Sequence, residues 1–228
     1  MNVLVFGATG MVGHGVLQEC LAADDVTLVQ TIGRTATGQP HPKLRDVVHS
    51  DMYDYQSIEA QLSGFDACFF CLGTSSVGKS EAEYTRVTED LTMAAAATLA
   101  RLNPQMTFTY VSGAGTDSTE QGRSMWARVK GRTENRLLHA GFKAAYMFRP
   151  GAIQALHDVQ SKTALYRILY LFFKVLLPPL RALFPNHILT TGQIGQAMLA
   201  VARHGAPKSI LESCDIRAIA EQESKTSR

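Results

Sequence analysis

Lys130 follows the only tryptophan of the chain, Trp126, by four residues, inside the stretch SMWARVKGRTE at positions 124–134. Residues four apart share one face of a helix, so the two side chains should project together. A lysine held beside another group in a cleft can tune a proton donor through its positive charge. An indole offers one N–H that does not usefully ionise near neutral pH, so it can orient a carbonyl without exchanging a proton with it. The pair raises the question of whether this is a working site or one whose acid has been replaced.

A second set of residues suits phosphate binding. GATGMVGHG follows the apolar run NVLVF and opens a helical pattern. In that context Gly7 permits a tight turn, Gly10 lets the backbone approach a diphosphate, and Gly13 lets the helix lie close on the strand. Amides at the start of the helix, aided by its dipole, then face the phosphates, which is the chemistry of a dinucleotide site. The next strand ends TIGRT, with Arg34 and no acidic residue from 30 to 39. A carboxylate there would hold a ribose 2′-hydroxyl and repel a 2′-phosphate, whereas a guanidinium pairs with the phosphate. The expected cofactor is therefore NADP(H) in preference to NAD(H). Asp51, just past the third strand, could meet the adenine edge or simply end a surface turn.

The elements that must position these groups follow from the hydrophobic pattern. Apolar, β-rich runs at 2–6, 26–32, 46–50, 66–72, 106–113 and 143–151 alternate with helical patterns at 11–23, 57–62, 80–102 and 124–140. Strands alternating with helices imply a parallel sheet covered on both faces, and right-handed crossovers make it an α/β doubly wound fold. The whole chain, 1–228, reads as a single domain. After Gly151 the alternation is expected to end, with a substrate-covering region over 152–190, a final helix over 190–205 capped by Gly205, and a polar tail over 221–228. Within the covering region, 165–184 is strongly apolar. Arg167, Lys174, Pro178 and Pro179 interrupt it short of the roughly 20 apolar residues a membrane span needs. It reads as a helix over the end of the sheet or a dimer contact, with a membrane-surface helix as the lesser alternative.

The totals exclude several classes. A net charge of +2, without a basic cluster interleaved with aromatics, argues against a nucleic-acid partner. Cys68 and Cys71 form a CxxC, but strand residues three apart point to opposite faces, so the two sulfurs should not share a metal. No other metal-ligand spacing stands out. The start lacks the basic region of a secretory signal, and a cytoplasmic location with reduced thiols is the expectation.

GATGMVG, CLGTS, VSGAG, WARVKGRTE and FRPG occur in this order over roughly residues 1–205. As a set they resemble the atypical short-chain dehydrogenase/reductases, in particular the group around the human Tat-interacting protein. The resemblance implies a Rossmann domain with a short C-terminal substrate-covering region. It implies that Thr9, Met11 and Val12 line the diphosphate beside the three glycines, and that Leu72, Gly73 and Thr74 run beneath the cofactor ribose. Arg149 and Pro150, in FRPG, would also belong to the cofactor site. The Ser–Tyr–Lys set of the reductases maps onto Ser112, Trp126 and Lys130, with tryptophan where the tyrosine belongs. Lys130 would still bind the nicotinamide ribose. Tyr84, Tyr110 and His157 are the remaining candidates for a proton donor. The implied activity is reduction of an apolar carbonyl compound, with a non-catalytic NADPH-binding regulator as the alternative. By the same analogy the helices at 80–102 and 124–140 would pair in a homodimer.

Overall fold

The structure, a computed structural model, describes residues 1–155 and 188–226. The apolar runs form β1 (Asn2–Phe6), β2 (Leu28–Gly33), β3 (Leu44–Val48), β4 (Ala67–Phe70), β5 (Thr107–Val111) and β6 (Ala144–Arg149). Further along come β7 (Ala152–Gln154), β8 (Ile188–Thr190) and β9 (Ile210–Glu212). Seven of these make one parallel sheet in the order β3-β2-β1-β4-β5-β6-β9, with Val3 level with Val29 on one side and Ala67 on the other. The order reverses direction between β1 and β4. A crevice opens beyond the carboxyl ends of the strands at such a switch point, and ligands bind there.

Alternate residues of each strand serve opposite layers. Val3, Val5, Phe69 and Phe148 pack with α1 (Met11–Ala22), α5 (Thr191–His204) and α6 (Ser213–Thr226). Leu4, Phe6, Phe70 and Phe108 face the other layer, with the 3-10 turn Gln56–Gln61, α3 (Leu91–Leu102) and α4 (Met125–Leu138). Cys68 belongs to the second layer and Cys71 packs against the first, as the strand period requires. Helices α1 and α5 cross in direct contact. A Cβ on Gly15 would lie 2.4 Å from that of Thr191, and one on Gly195 would lie 2.8 Å from the Glu19 side chain.

The expected helix over 80–102 is broken internally. Ser80 caps α2 (Glu81–Thr85) through a reciprocal pair with Glu83, and a π turn, Arg86–Asp90, precedes α3. The π turn carries the buried Glu89, which is bonded to Arg132 at 2.5 Å and Arg136 at 2.8 Å on α4.

Two expectations for the C-terminal part need correction. The alternation does not end at Gly151: β7 and β8 pair as a small parallel sheet, and β9 extends the main one beside β6. Residues 221–226 of the expected polar tail continue α6 to Thr226, and 227–228 lie outside the described residues. Ile216, Ile219 and Ala220 lie on one helical face against the first layer, and Glu223 pairs with Arg203 of α5. The substrate-covering region is described only at 152–155 and 188–190, so His157 and the apolar stretch 165–184 lie outside the described residues.

Candidate functional site

The chain leaves β1 at Phe6 and enters α1 at Met11 through a turn with no room for side chains. Gly7 sits at a φ of 78°, where other residues are strained, and a Cβ there would lie 2.8 Å from the Cys71 carbonyl oxygen. A Cβ on Gly13 would come within 2.1 Å of the Gly7 carbonyl oxygen, so the first turn of α1 rests on the backbone of the loop. Gly10 is the N-cap, its N–H donating to Gly7 at 2.9 Å, and no side chain caps the helix. The first-turn amides, those of Met11 and Val12 among them, have no acceptor within the helix and point out of its end. Thr9 and Met11 are exposed at this rim, whereas Val12 packs against the core. A bare helix terminus framed by glycines that tolerate no methyl fits a diphosphate.

Beside the turn lies a cavity of about 630 Å³ into which three strand ends open. It brings together Arg34 from the end of β2, Asp51 from beyond β3, and Leu72, Gly73 and Thr74 from beyond β4. Val87 and Leu91, from the π turn and the start of α3, close the far side. Arg34 is exposed, and no described carboxylate pairs with it. Asp51 accepts a hydrogen bond from the Tyr53 amide at 2.9 Å. Tyr53 also lines the cavity and escaped the sequence reading. Its hydroxyl donates to the Arg86 carbonyl at 3.2 Å, and the Arg86 guanidinium lies 5.6 Å from its ring centre. Its place two residues after Asp51 was the available signal.

At the carboxyl end of β5 stand the other three residues. Ser112 is buried, with its hydroxyl donating to the Phe148 carbonyl at 3.1 Å. Lys130 reaches across from α4, and its Nζ donates to the Val111 carbonyl at 3.3 Å, above the Tyr110 ring at 5.5 Å. Burial pushes the Lys130 ammonium down to about 8, and Glu134, one turn further along α4, only partly opposes this. The Trp126 ring passes beside Gly115, where an added Cβ would lie 3.6 Å from the indole. The loop before α4 is pinned: the Asp117 amide donates to the Ala127 carbonyl at 3.1 Å, and Gly131 leaves room for the Asp117 carbonyl, which a Cβ would meet at 1.8 Å. The glycine of KGRTE therefore seats the Asp117 loop against α4, the helix that carries the tryptophan.

The alternative proton donors are poorly placed. Burial holds the Tyr110 and Tyr84 hydroxyls above the ordinary tyrosine range, and they bond to Thr133 and Thr88 respectively. Arg149 departs from the expected cofactor role. Its guanidinium turns into the protein, with Nε donating to both Glu134 oxygens at 3.1 and 3.2 Å and Nη2 to Oε2 at 2.5 Å. It also donates to Ser118 and, at 3.3 Å, to Glu212. The cause is Glu134, whose side chain is fully buried and needs a cation. Pro150 presents its carbonyl to the Ala114 amide at 2.9 Å, tying β6 to the loop after Ser112.

A parallel sheet in this order, a glycine turn at its switch point and a cavity beyond its strand ends define a Rossmann-type fold of the dinucleotide-binding kind. Residues 7–149 match the NAD(P)H-binding family, NAD_binding_10, and the chain belongs to that family. It is 30% identical over 159 residues to "Protein fmp52, mitochondrial" of Emericella nidulans, a match covering 67% of this chain and 66% of that protein. It is 25% identical over 226 residues to "Protein fmp52-2, mitochondrial" of Aspergillus oryzae, covering 97% of both. "Protein HTATIP2" of Rattus norvegicus is 26% identical over 155 residues, covering 67% of this chain and 62% of that protein. The chain thus spans just under two thirds of the length of the first and third relatives. Among solved structures, the Bordetella bronchiseptica enzyme WbmF in complex with NAD+ superposes with a TM-score of 0.67 at 16% identity, covering 98% of this chain and 77% of that one. The oxidoreductase ylbE of Lactococcus lactis gives 0.62 at 14% identity, covering 99% and 97%. At these identities the likeness concerns the fold. The fungal relatives carry "mitochondrial" in their names, which lends no support to the cytoplasmic expectation. Among the described residues, no helix is long and apolar enough to cross a membrane.

Proposed function

We propose that this chain is an NADP(H)-dependent reductase of apolar carbonyl compounds that works with Trp126 in place of the reductases' tyrosine. The observation that carries the reading is Lys130, whose ammonium bonds the Val111 carbonyl, the residue before Ser112 at the carboxyl end of β5, with no described carboxylate paired to it. Bound NADPH would supply the hydride. The first-turn amides after Gly10 hold its diphosphate, Arg34 the 2′-phosphate, Asp51 the adenine edge, and Leu72, Gly73 and Thr74 the ribose. Lys130 holds the nicotinamide ribose hydroxyls. The Ser112 hydroxyl and the Trp126 N–H orient the carbonyl oxygen. The indole and the apolar composition of 165–184 favour an apolar substrate. General acid catalysis typically contributes about 10²–10⁴-fold, so the enzyme should be slow.

The test is NADPH consumption with 4-nitrobenzaldehyde and 9,10-phenanthrenequinone as acceptors. Turnover above that of Ser112→Ala, and faster turnover in Trp126→Tyr, is the expected result. A second reading, a regulator whose conformation responds to NADPH without turnover, is favoured by the indole together with the burial of Tyr84 and Tyr110. NADPH binding with no consumption by either the natural chain or Trp126→Tyr would select it.

A further inference from the structure

We infer that Lys130 does more than hold ribose: its Nζ is itself the proton donor to the carbonyl oxygen, taking over the step that Trp126 cannot perform. The inference rests on the reductase reading above. A proton inventory of the strand edge motivates it. The Ser112 hydroxyl, which donates to the Phe148 carbonyl here, can turn to orient a substrate oxygen but is an alcohol that does not ionise near neutral pH. The Trp126 N–H does not ionise usefully. The Tyr84 and Tyr110 hydroxyls are buried and held above their usual range. Lys130 is left.

The charged and titratable groups around Lys130 explain why its proton is loosely held. From β5 the neighbour is the Tyr110 ring, which meets the ammonium at 5.5 Å and offers no anion. From α4 the neighbour is Glu134, but its carboxylate is taken by Arg149 of β6 at 2.5 Å. Beyond the Tyr110 ring lie Tyr84 of α2, which is buried, and Glu89 of the π turn, which Arg132 and Arg136 already neutralise. The ammonium therefore rests on one described hydrogen bond, to the neutral Val111 carbonyl at 3.3 Å. With no described carboxylate bonded to it and Glu134 only partly opposing, the partly buried ammonium gives up its proton at about 8, below the ordinary lysine range. A donor whose pKa lies near the working pH can both deliver a proton and recover it.

The step balances. The carbonyl carbon gains a hydride, with its two electrons, from NADPH, which leaves as NADP+. The π pair of the C=O bond moves onto oxygen, and that oxygen takes one proton from Nζ. The product is an alcohol, and the neutral amine is reprotonated from water.

Lys130→Arg separates the two roles, because a guanidinium keeps the positive charge but does not release its proton in proteins. Three readouts are compared between the natural chain and this variant. They are NADPH affinity by calorimetry, oxidation of NADPH with 9,10-phenanthrenequinone from pH 6 to 10, and titration of ¹³C-dimethylated lysines by NMR. The expected result is NADPH affinity within about 3-fold, turnover lower by about 100-fold, and loss of the decline in rate above pH about 8. One lysine resonance, missing in the variant, should titrate near that pH. If Lys130→Arg does not fold, Lys130→Ala with added ethylamine reads the same role, and rescue of turnover is expected. Unchanged turnover and pH profile in Lys130→Arg, no rescue by ethylamine, or a Lys130 resonance titrating above about 10 would overturn the lysine assignment while leaving the reductase reading intact. NADPH binding without any consumption by the natural chain would overturn both.

Discussion

Replacing Arg149 by methionine removes the cation from a carboxylate that has no access to water. The Glu134 side chain is fully buried and accepts three of the arginine's donated bonds, at 3.1, 3.2 and 2.5 Å. Breaking a buried pair by deleting one partner costs about 3–5 kcal/mol, because the other charge is left uncompensated. The contact to Glu212, whose side chain is 46% exposed, adds little. In a domain of this size each kcal/mol moves the melting temperature by about 2–4 °C, so Arg149→Met should melt roughly 10 °C lower. The double variant Glu134→Gln with Arg149→Met removes both charges together and should recover most of the loss. Urea unfolding followed through the single tryptophan measures all three proteins. A loss below about 1 kcal/mol in the single variant would refute the buried-pair account. So would loss of NADPH affinity in a fully folded Arg149→Met, which would return the arginine to the cofactor.

Gly13→Ala places a methyl 2.1 Å from the Gly7 carbonyl oxygen and should cost about 1–3 kcal/mol in thermal unfolding, together with a severe loss of NADPH affinity by calorimetry. Arg34→Ala should weaken NADPH binding by about 10- to 100-fold, the worth of one charge-assisted contact, and leave NADH binding nearly unchanged. Lys130→Met has a sign fixed by burial. The folded lysine gives up its proton at about 8 while the unfolded one holds it to 10.5, so the unfolded state binds more protons between these values and stability rises with pH there. The variant should therefore be more stable than the natural chain at pH 7, by about 1–3 kcal/mol, with the gap closing towards pH 10 in denaturant titrations.

The first two thirds of the fold were legible because each strand announces itself as a short apolar run and each crossover helix has its own period. Six strands and the glycine turn could be placed within a few residues from that signal alone. The C-terminal part was less legible for a definite reason. The strand Ile210–Glu212 is three residues long, and the apolar face of α6 rests on Ile216, Ile219 and Ala220 amid mostly polar neighbours. The π turn gave no sign, since Thr85 to Leu91 read as ordinary helix and the buried Glu89 depends on arginines more than forty residues away. Arg149 shows the limit of motif transfer. FRPG marks the end of a strand, but which way its arginine turns depends on Glu134, one helix earlier. Gly131 shows the converse: its motif was recognised, and only the packing of Asp117 explains why it is glycine.

The central claim is that the amides beyond β1 grip a dinucleotide whose 2′-phosphate is read by Arg34. Calorimetric titration of the purified chain with NADPH and NADH, side by side, tests it most directly. The account predicts saturable binding of both, with NADPH tighter by at least about 10-fold. Equal affinities would contradict the role of Arg34, and no heat from either nucleotide would contradict the site itself.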